Sequence, residues 1–353
     1  MWLLLLLGLF VGSEDLVKQK GYLLPDDAFL ADPVAMAFSP DGRLYLLDRE
    51  QKRVFFWDAA GRFQGAFGTE GQGPGEFLNP FQLQADNGAV YIWEDRQVIS
   101  VFSPKGEFVR RFHTTSARPR VFAPLKNDLF LLGFRSRDHR AMYMHFELRN
   151  GQGEPVQELM KEENKAFVRV GEGDNNVTIR AYMPEIDIQP TENGTWLAGF
   201  SQETTLREID ASGKVLKTHR FDLPQIESSE RDREVFMSMS FPGPDGQRIG
   251  LKDLPNIKVD FSQPKAYYTH FVLGKSRIAF VLSPIGSTDA VNTGHSYGTY
   301  VVCDRNSGKR VGKGFYRLPE DSRVFYKNNR ILGVVLNDDD EFEIATYTLK
   351  GLK

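Results

Sequence analysis

The sequence predicts an all-β fold: a six-bladed β-propeller built from four-stranded antiparallel blades. One observation is composition, since 12% of the residues are aromatic and 27 are Phe, which favours strands over a helical bundle. The second is a pair of turns 18 or 19 residues apart, which recurs at Gly42 and Gly61, Gly88 and Gly106, and Gly194 and Gly213. Four-stranded units that cannot bury both faces alone pack radially about an axis, which leaves only short edges exposed.

The clearest unit spans residues 68–112 and supplies the template for the others. Residues 90–93 and 98–102 are rich in β-branched and aromatic side chains, as half-buried strands require. Asn87-Gly88 between two apolar runs predicts a tight hairpin whose glycine adopts a positive φ. A glycine-rich connector precedes these strands, so the whole stretch reads as one blade.

The same order of strands and turns extends along the chain. A unit at 32–67 precedes the template and another lies at 186–221, and weaker copies fill the gaps. The first hairpins of six units fall near residues 42, 88, 128, 194, 275 and 329. The last unit ends soon after its second turn and lacks an outer strand. We expect residues 16–24 to supply that strand and close the ring.

The beginning of the chain predicts export. Residues 1–13 hold an apolar run too short to span a bilayer, followed by a small-residue cleavage site, although the usual basic start is missing. A buried strand is the alternative interpretation of this run. We therefore expect a signal peptide at 1–13 and a single propeller domain at 14–353, located in the periplasm or outside the cell. After cleavage we expect a monomer without a membrane span.

Charge and cysteine content narrow the function classes. A formal net charge of -3 argues against nucleic acid as the partner, because phosphate binding needs a basic excess. Cys303 is the only cysteine, which excludes disulfides and Cys-x-x-Cys metal sites. It lies in an apolar run, so we expect a buried structural thiol.

Three stretches of the chain together resemble a known repeat. They are Gly71-x-Gly73-Pro74-Gly75-x-Phe77-x-x-Pro80, Asn87-Gly88-x-Val90-Tyr91 and Val101-Phe102-x-x-x-Gly106-x-Phe108, and the repeat that they resemble is the NHL repeat. The resemblance is specific over residues 32–112 and weaker over 186–221. It implies a six-bladed propeller of a type common in exported bacterial proteins, many of them binding or sensing modules. The wider group also includes an amidating lyase and calcium-dependent lactonases, whose metal-site signatures this sequence lacks.

The unequal lengths of the loops predict that the candidate site lies at one end of the propeller. In an up-and-down blade with strands a to d, the b-c loops and d-to-a crossings lie on one face. The insertions at about 222–264, before the fifth blade, and at 283–296 belong to these two classes. Residues 228–239 predict a short helix whose apolar end lines a groove or plugs the channel.

We expect the residues that enter the inner strands or the loops at this face to form the channel rim and bind the ligand: Asn79, Phe81, Arg120, Tyr182, Tyr268, His270, His295 and Arg323. Arginine, tyrosine and histidine at such a rim suit an anionic or glycan ligand, a peptide or a protein partner. Packing within the blades is the competing explanation for each residue.

Motifs for catalysis are missing. No His-x-x-x-His or His-Glu-x-x-His spacing occurs, the acidic run at 337–341 lacks the spacing of a calcium loop, and no Gly-x-Ser-x-Gly is present. We therefore predict a non-catalytic exported propeller without a cofactor, which binds at the face with the long loops. The alternatives are a lyase or lactonase-like enzyme with calcium or zinc in its channel, and a scaffold in a larger envelope complex.

Overall fold

The structure is a computed structural model of the chain. It describes residues 16–86, 88–94, 97–114, 119–138, 141–164, 167–169, 177–180, 185–201, 203–242, 247–254, 257–262, 267–282, 297–318, 322–327, 330–336 and 341–349. The predicted signal peptide, most of the acidic run and the insertion at 283–296 lie outside these residues.

The chain begins with β1 (Leu16–Tyr22) and continues through the blades in order. Blades 1 and 2 comprise β2 (Pro33–Phe38), β3 (Leu44–Asp48), β4 (Arg53–Trp57) and β5 (Phe63–Phe67), the short pair β6 (Thr69–Glu70) and β7 (Glu76–Phe77), then β8 (Pro80–Ala85), β9 (Val90–Glu94), β10 (Val98–Phe102) and β11 (Phe108–His113). Blade 3 comprises β12 (Pro119–Pro124), β13 (Phe130–Asp138), β14 (Ala141–Arg149) and β15 (Pro155–Asn164), after which come β16 (Phe167–Arg169) and β17 (Val177–Arg180).

Blade 4 comprises β18 (Ile186–Pro190), β19 (Trp196–Phe200), β20 (Thr205–Ile209) and β21 (Val215–Arg220). The crossing to blade 5 holds α1 (Glu230–Met237), β22 (Ser240–Pro242), β23 (Arg248–Gly250), a 3₁₀ turn (Leu251–Asp253) and β24 (Ile257–Asp260). Blade 5 comprises β25 (Tyr267–Leu273), β26 (Arg277–Leu282), β27 (Tyr297–Asp304) and β28 (Arg310–Arg317), and blade 6 comprises β29 (Arg323–Lys327), β30 (Arg330–Leu336) and β31 (Phe342–Leu349).

The blades form a closed ring. The inner strands β2, β8, β12, β18, β25 and β29 each contact the next, and β29 contacts β2. Every blade is an antiparallel sheet of four strands, and in blade 6 the outermost strand is β1, which pairs with β31. The predicted six-bladed propeller is therefore confirmed.

Apolar layers between neighbouring blades form the core. Trp57, for example, is fully buried between blades 1 and 6, where its ring meets Tyr22 at 6.0 Å. Its indole Nε1 donates a hydrogen bond of 2.8 Å to the backbone oxygen of Leu23. This bond ties the segment after β1 to the first blade, because a buried indole N–H needs an acceptor.

Glycines close most of the turns as the sequence predicts, with one exception. Gly42, Gly106 and Gly194 have φ angles of 90°, 87° and 74°, in the left-handed region that glycine tolerates. The prediction of a positive φ at Gly88 is wrong. There the carboxylate of Asp86 accepts hydrogen bonds of 2.7 Å from the backbone N–H groups of Gly88 and Ala89, so the side chain shapes the turn.

Two successive d-to-a crossings meet each other over blades 3 to 5. Strand β17, in the crossing from blade 3, pairs parallel with β24, in the crossing from blade 4, and antiparallel with β16. Phe236 of α1 and Leu251 form a small apolar cluster with Ile257 and Val259 of β24. Both crossings thus belong to one folded unit, which we call the cap.

Candidate functional site

The six inner strands surround a narrow channel. It encloses a cavity of about 60 Å³ whose polar lining comes from Gln82, Gln84, Glu185, Asp187, Gln189 and Thr269. Such a volume suits a few water molecules rather than an organic ligand. The space for a ligand therefore lies at the two ends of the channel, at the crossing end that carries the cap and at the turn end formed by the a-b hairpins.

Asp187 joins blade 4 to blade 5 inside the channel. Its Oδ2 accepts hydrogen bonds from the Thr269 hydroxyl at 2.6 Å and from the His270 backbone N–H at 2.8 Å, and it lies 2.9 Å from His270 Nδ1. Burial opposes ionisation of Asp187, but the interaction with His270 and the hydrogen bonds from Thr269 and His270 outweigh it and lower the pKa of Asp187 to about 2. The carboxylate is therefore ionised at neutral pH.

His270 carries one nitrogen atom that the fold does not use. The side chain is 3% exposed and packs beside the ring of Phe280 at 6.1 Å. Nδ1 faces Asp187, while Nε2 is buried without a hydrogen-bond partner in the described part of the chain. An Asp-His pair with a free Nε2 has the composition of a general base, although here its burial limits access.

A cluster of two arginines and one glutamate lies at the crossing end. Arg120, near the start of β12, is 3.5 Å from Glu185, and Arg135 of β13 is 3.1 Å from the same carboxylate. The backbone of Glu185, which just precedes β18, is fixed by the Ser201 hydroxyl at 2.7 Å. These three residues come from blades 3 and 4, and we call them the arginine cluster.

The arginine cluster is partly buried, and the lower local dielectric constant strengthens the electrostatic interactions of its charges. Burial lowers the pKa of Arg135; the nearby charge of Arg120 acts in the same direction, and Glu185 opposes both. The Nε of Arg120 is buried and has no hydrogen-bond partner among the residues described. A buried donor without an acceptor costs about 1–3 kcal/mol, so the fold holds this guanidinium group at a cost in stability.

Two ion pairs that share Asp32 connect blades 1 and 6 at the same end of the channel. Arg323 at the start of β29 bonds to Asp32 at 3.1 Å, and Arg49 bonds to the other oxygen of Asp32 at 2.8 Å. The Asp48 carboxylate accepts the backbone N–H groups of Ala31 and Asp32 at 2.6 and 3.0 Å, which fixes the approach to β2. Opposed arginines therefore border this end of the channel from both sides.

The predicted rim residues lie in different environments. Arg120 and Arg323 lie at the crossing end, as described, whereas Asn79 is exposed before β8 and Phe81 packs on Trp93 at 5.4 Å. His270 is buried in the channel wall. Tyr182 and His295 lie outside the described residues, and Tyr268 is in β25 with its side chain outside them.

The sequence alone did not identify Arg135, Glu185 and Asp187 as site residues. Arg120 and Glu185 are 65 positions apart, and no local motif joins them. The only available signal was positional, because Glu185 just precedes an inner strand and Asp187 lies within it.

The turn end of the channel holds a wider cavity, which the sequence analysis did not expect. Its volume is about 600 Å³, and residues of the a-b turns in blades 1 to 4 line it, among them Ser39, Asp86, Lys126, Thr191 and Trp196. Its size falls in the range of small-molecule sites. None of the described residues that line it is an arginine, in contrast to the crossing end.

Two further features bear on function. Cys303 is fully buried, and burial together with the nearby charge of Asp222 raises the pKa of its thiol to about 11, so it serves packing rather than catalysis. Within the described residues, no helix is long and apolar enough to cross a bilayer.

Comparisons with known proteins agree with the architecture. The family model DUF5128, described as a 6-bladed beta-propeller, matches residues 25–182. A protein of Bacteroides fragilis described as exported is 11% identical, with 97% of each chain covered and a TM-score of 0.61. A member of the DUF4221 family from Bacteroides vulgatus is 10% identical, with 95% of this chain and 98% of that chain covered and a TM-score of 0.53.

A more distant structure is virginiamycin B lyase from Staphylococcus aureus with quinupristin, which is 11% identical, covers 95% of this chain and 99% of its own, and has a TM-score of 0.43. At these identities the likeness concerns the fold alone. No curated protein shows significant sequence similarity to the chain. The matches confirm the resemblance to six-bladed propeller proteins, for which the NHL repeat is an approximate description.

Proposed function

We propose that the chain is a non-catalytic binding module that takes an acidic ligand at the crossing end of its channel. The observation that carries the proposal is the arginine cluster, in which Arg120 and Arg135 share the single carboxylate of Glu185. A planar guanidinium group recognises carboxylates, sulfates and phosphates through paired hydrogen bonds. The side chain of Arg120 is 31% exposed, so such a ligand can reach its guanidinium group from solvent.

The surroundings of the arginine cluster favour a ligand in which the acidic group is attached to a larger molecule. The channel behind the arginine cluster holds only about 60 Å³, so the body of the ligand must lie outside it. The cap borders the same end and offers partly buried apolar residues, Met237, Met239 and Phe261, beside α1. An acidic glycan or an acidic segment of a protein fits this combination of a charged mouth and an apolar border.

Thermal shift and calorimetric titration test the proposal with matched probe pairs. Trigalacturonate with its neutral counterpart, galactotriose, and an acetylated Glu-rich peptide with its Gln-rich analogue present the same body with and without charge. We expect the acidic member of one pair to stabilise the protein and the neutral member to have no effect. Arg120→Gln then weakens binding about tenfold or more, since one charge-assisted hydrogen bond contributes about 1.5–3 kcal/mol.

The control is Arg62→Gln. Arg62 is a largely exposed arginine that pairs with Asp58 in the second turn of blade 1, away from the inner strands. Binding that both variants retain contradicts the proposal. So does equal binding of the acidic and neutral probes.

An enzyme is the second candidate, and the pair of Asp187 and His270 is the observation in its favour. Proton abstraction by Nε2 of His270 requires the substrate to reach a side chain that is 3% exposed. If the protein is a metal-dependent enzyme with its site in the channel, it should contain a zinc or calcium ion that is lost in the His270→Asn variant. Metal content that does not change in this variant argues against it.

Export is the final part of the proposal. Its support is the apolar leader at 1–13 and the exported protein among the structural relatives. Fractionation of the native host, followed by N-terminal sequencing of the mature protein, tests it. We expect the protein outside the cytoplasm with a start close to residue 14, and a cytoplasmic protein that keeps Met1 contradicts it.

A further inference from the structure

A cluster of one histidine and two glutamates lies on blade 3, outside the channel. His145 and Glu147 are two positions apart on β14 and therefore on one face, and Glu158 lies directly opposite Glu147 on β15. One side-chain donor atom from each of the three residues lies within 4.8 Å of the other two. Phe134 lies opposite His145 on β13, and the whole group faces the groove between blades 2 and 3, where Phe112 meets Phe130.

Two glutamates directly opposite each other are unfavourable unless a positive charge lies between them. Arg149, which is buried, bonds to one oxygen of Glu147 at 2.7 Å and compensates that carboxylate. The second oxygen of Glu147 is available for another cation. Glu158 contacts Nδ1 of His145 at 3.1 Å, and its side chain is 48% exposed, so solvent ions reach the cluster from this side.

The imidazole of His145 is held as a metal ligand requires. Its ring stacks on Phe134 with a centroid distance of 4.8 Å and an angle of 3° between the planes. Its Nε2 lies 2.6 Å from the hydroxyl of Ser136. Histidine ligands usually direct their second nitrogen to a hydrogen-bonding partner that fixes ring orientation, and Ser136 meets this condition while Nδ1 faces the glutamates.

We propose that His145, Glu147 and Glu158 form a binding site for a divalent transition-metal ion of the zinc class. One imidazole and two carboxylates are a donor set that zinc accepts, with water in the remaining position. Binding through Nδ1 uses the neutral tautomer of His145 that carries its proton on Nε2, and that N–H would donate to the Ser136 hydroxyl. The ion joins β14 to β15 at the outer part of blade 3 and neutralises the facing glutamates.

Titration of metal-free protein with Co²⁺ and Zn²⁺ tests this site. We expect one equivalent of Co²⁺ to produce the visible absorption of a bound ion, Zn²⁺ to displace it, and the ion to raise the thermal midpoint. Glu158→Gln is the principal variant because the side chain is 48% exposed and its replacement should disturb the fold least, and it should weaken binding at least tenfold. His145→Asn should abolish binding, and Ser136→Ala should weaken it.

Glu162→Gln provides the matched control, since Glu162 lies on the same strand opposite Met144, on the other face of the sheet. It should bind metal as the original protein does. The proposal is overturned if the metal-free protein binds no equivalent of Co²⁺ or Zn²⁺. It is also overturned if Glu158→Gln keeps full affinity, because the ion then lies elsewhere.

Discussion

Replacing Asp187 by Asn tests how the fold positions the channel wall. The carboxylate of Asp187 accepts two hydrogen bonds from its own strand, at Ile188 and Gln189, and three groups of Thr269 and His270 approach it from blade 5. An amide of the same shape cannot accept from all of these donors and carries no charge. The variant should therefore loosen the contact between blades 4 and 5.

The magnitude follows from the pKa of Asp187. The folded protein lowers it from 3.8 to about 2, a difference that corresponds to about 2.5 kcal/mol of stability. Because the folded pKa is the lower one, this stabilisation is complete above the unfolded value and is lost as the pH falls through about 2. The original protein and Asp187→Asn should differ by about 2.5 kcal/mol at pH 7 and by about half of that at pH 3.

Urea unfolding followed by tryptophan fluorescence at both pH values measures the difference. Asp27→Asn is the control, because Asp27 is exposed and has no hydrogen bond among the described residues. It should change the unfolding midpoint little at either pH. A loss below about 1 kcal/mol for Asp187→Asn at pH 7, or a difference that grows on acidification, would refute this reasoning.

Two other predictions concern a contact between blades 4 and 5 and the closure of the ring. In Gly308→Ala the added methyl group would lie 1.9 Å from the backbone oxygen of Arg220 in blade 4, whereas in Gly194→Ala it would meet nothing within 4 Å. Both glycines have a left-handed backbone, so Gly194→Ala should lower the free energy of unfolding by about 1–2 kcal/mol, measured by chemical denaturation. Gly308→Ala should lower it clearly more. Equal losses in the two variants would contradict the close contact with Arg220. Removal of residues 1–22 should lower the thermal midpoint and promote aggregation, since it exposes the edge of β31 and uncovers Trp57, whereas removal of 1–15 alone should do neither.

The period of the blades was predictable because each unit repeats the same local chemistry. Glycines such as Gly42, Gly106 and Gly213 sit where the turns need a left-handed backbone, with φ of 90°, 87° and 87°. Gly88 shows the limit of this reasoning, since Asp86 replaces the glycine as the residue that shapes the turn. Local propensity identifies a turn more reliably than it identifies its geometry.

The candidate site was less predictable because it depends on contacts between distant residues. Arg120 was identified from its place at the start of an inner strand, but its partner Glu185 just precedes the inner strand of the next blade. The pairing of β17 with β24 joins two crossings about 80 residues apart, and neither segment carries a pattern that specifies the other. Such contacts follow from the ring, which brings successive crossings together once all blades are assembled.

The central claim is that an acidic group binds at the arginine cluster, and a crystal structure with the best acidic probe tests it most directly. We expect an acidic group of the probe within hydrogen-bonding distance of Arg120 and Arg135, with the body of the probe beside the cap. A probe seated instead in the cavity at the turn end, against Thr191 and Trp196, would contradict the account and move the site to the opposite face.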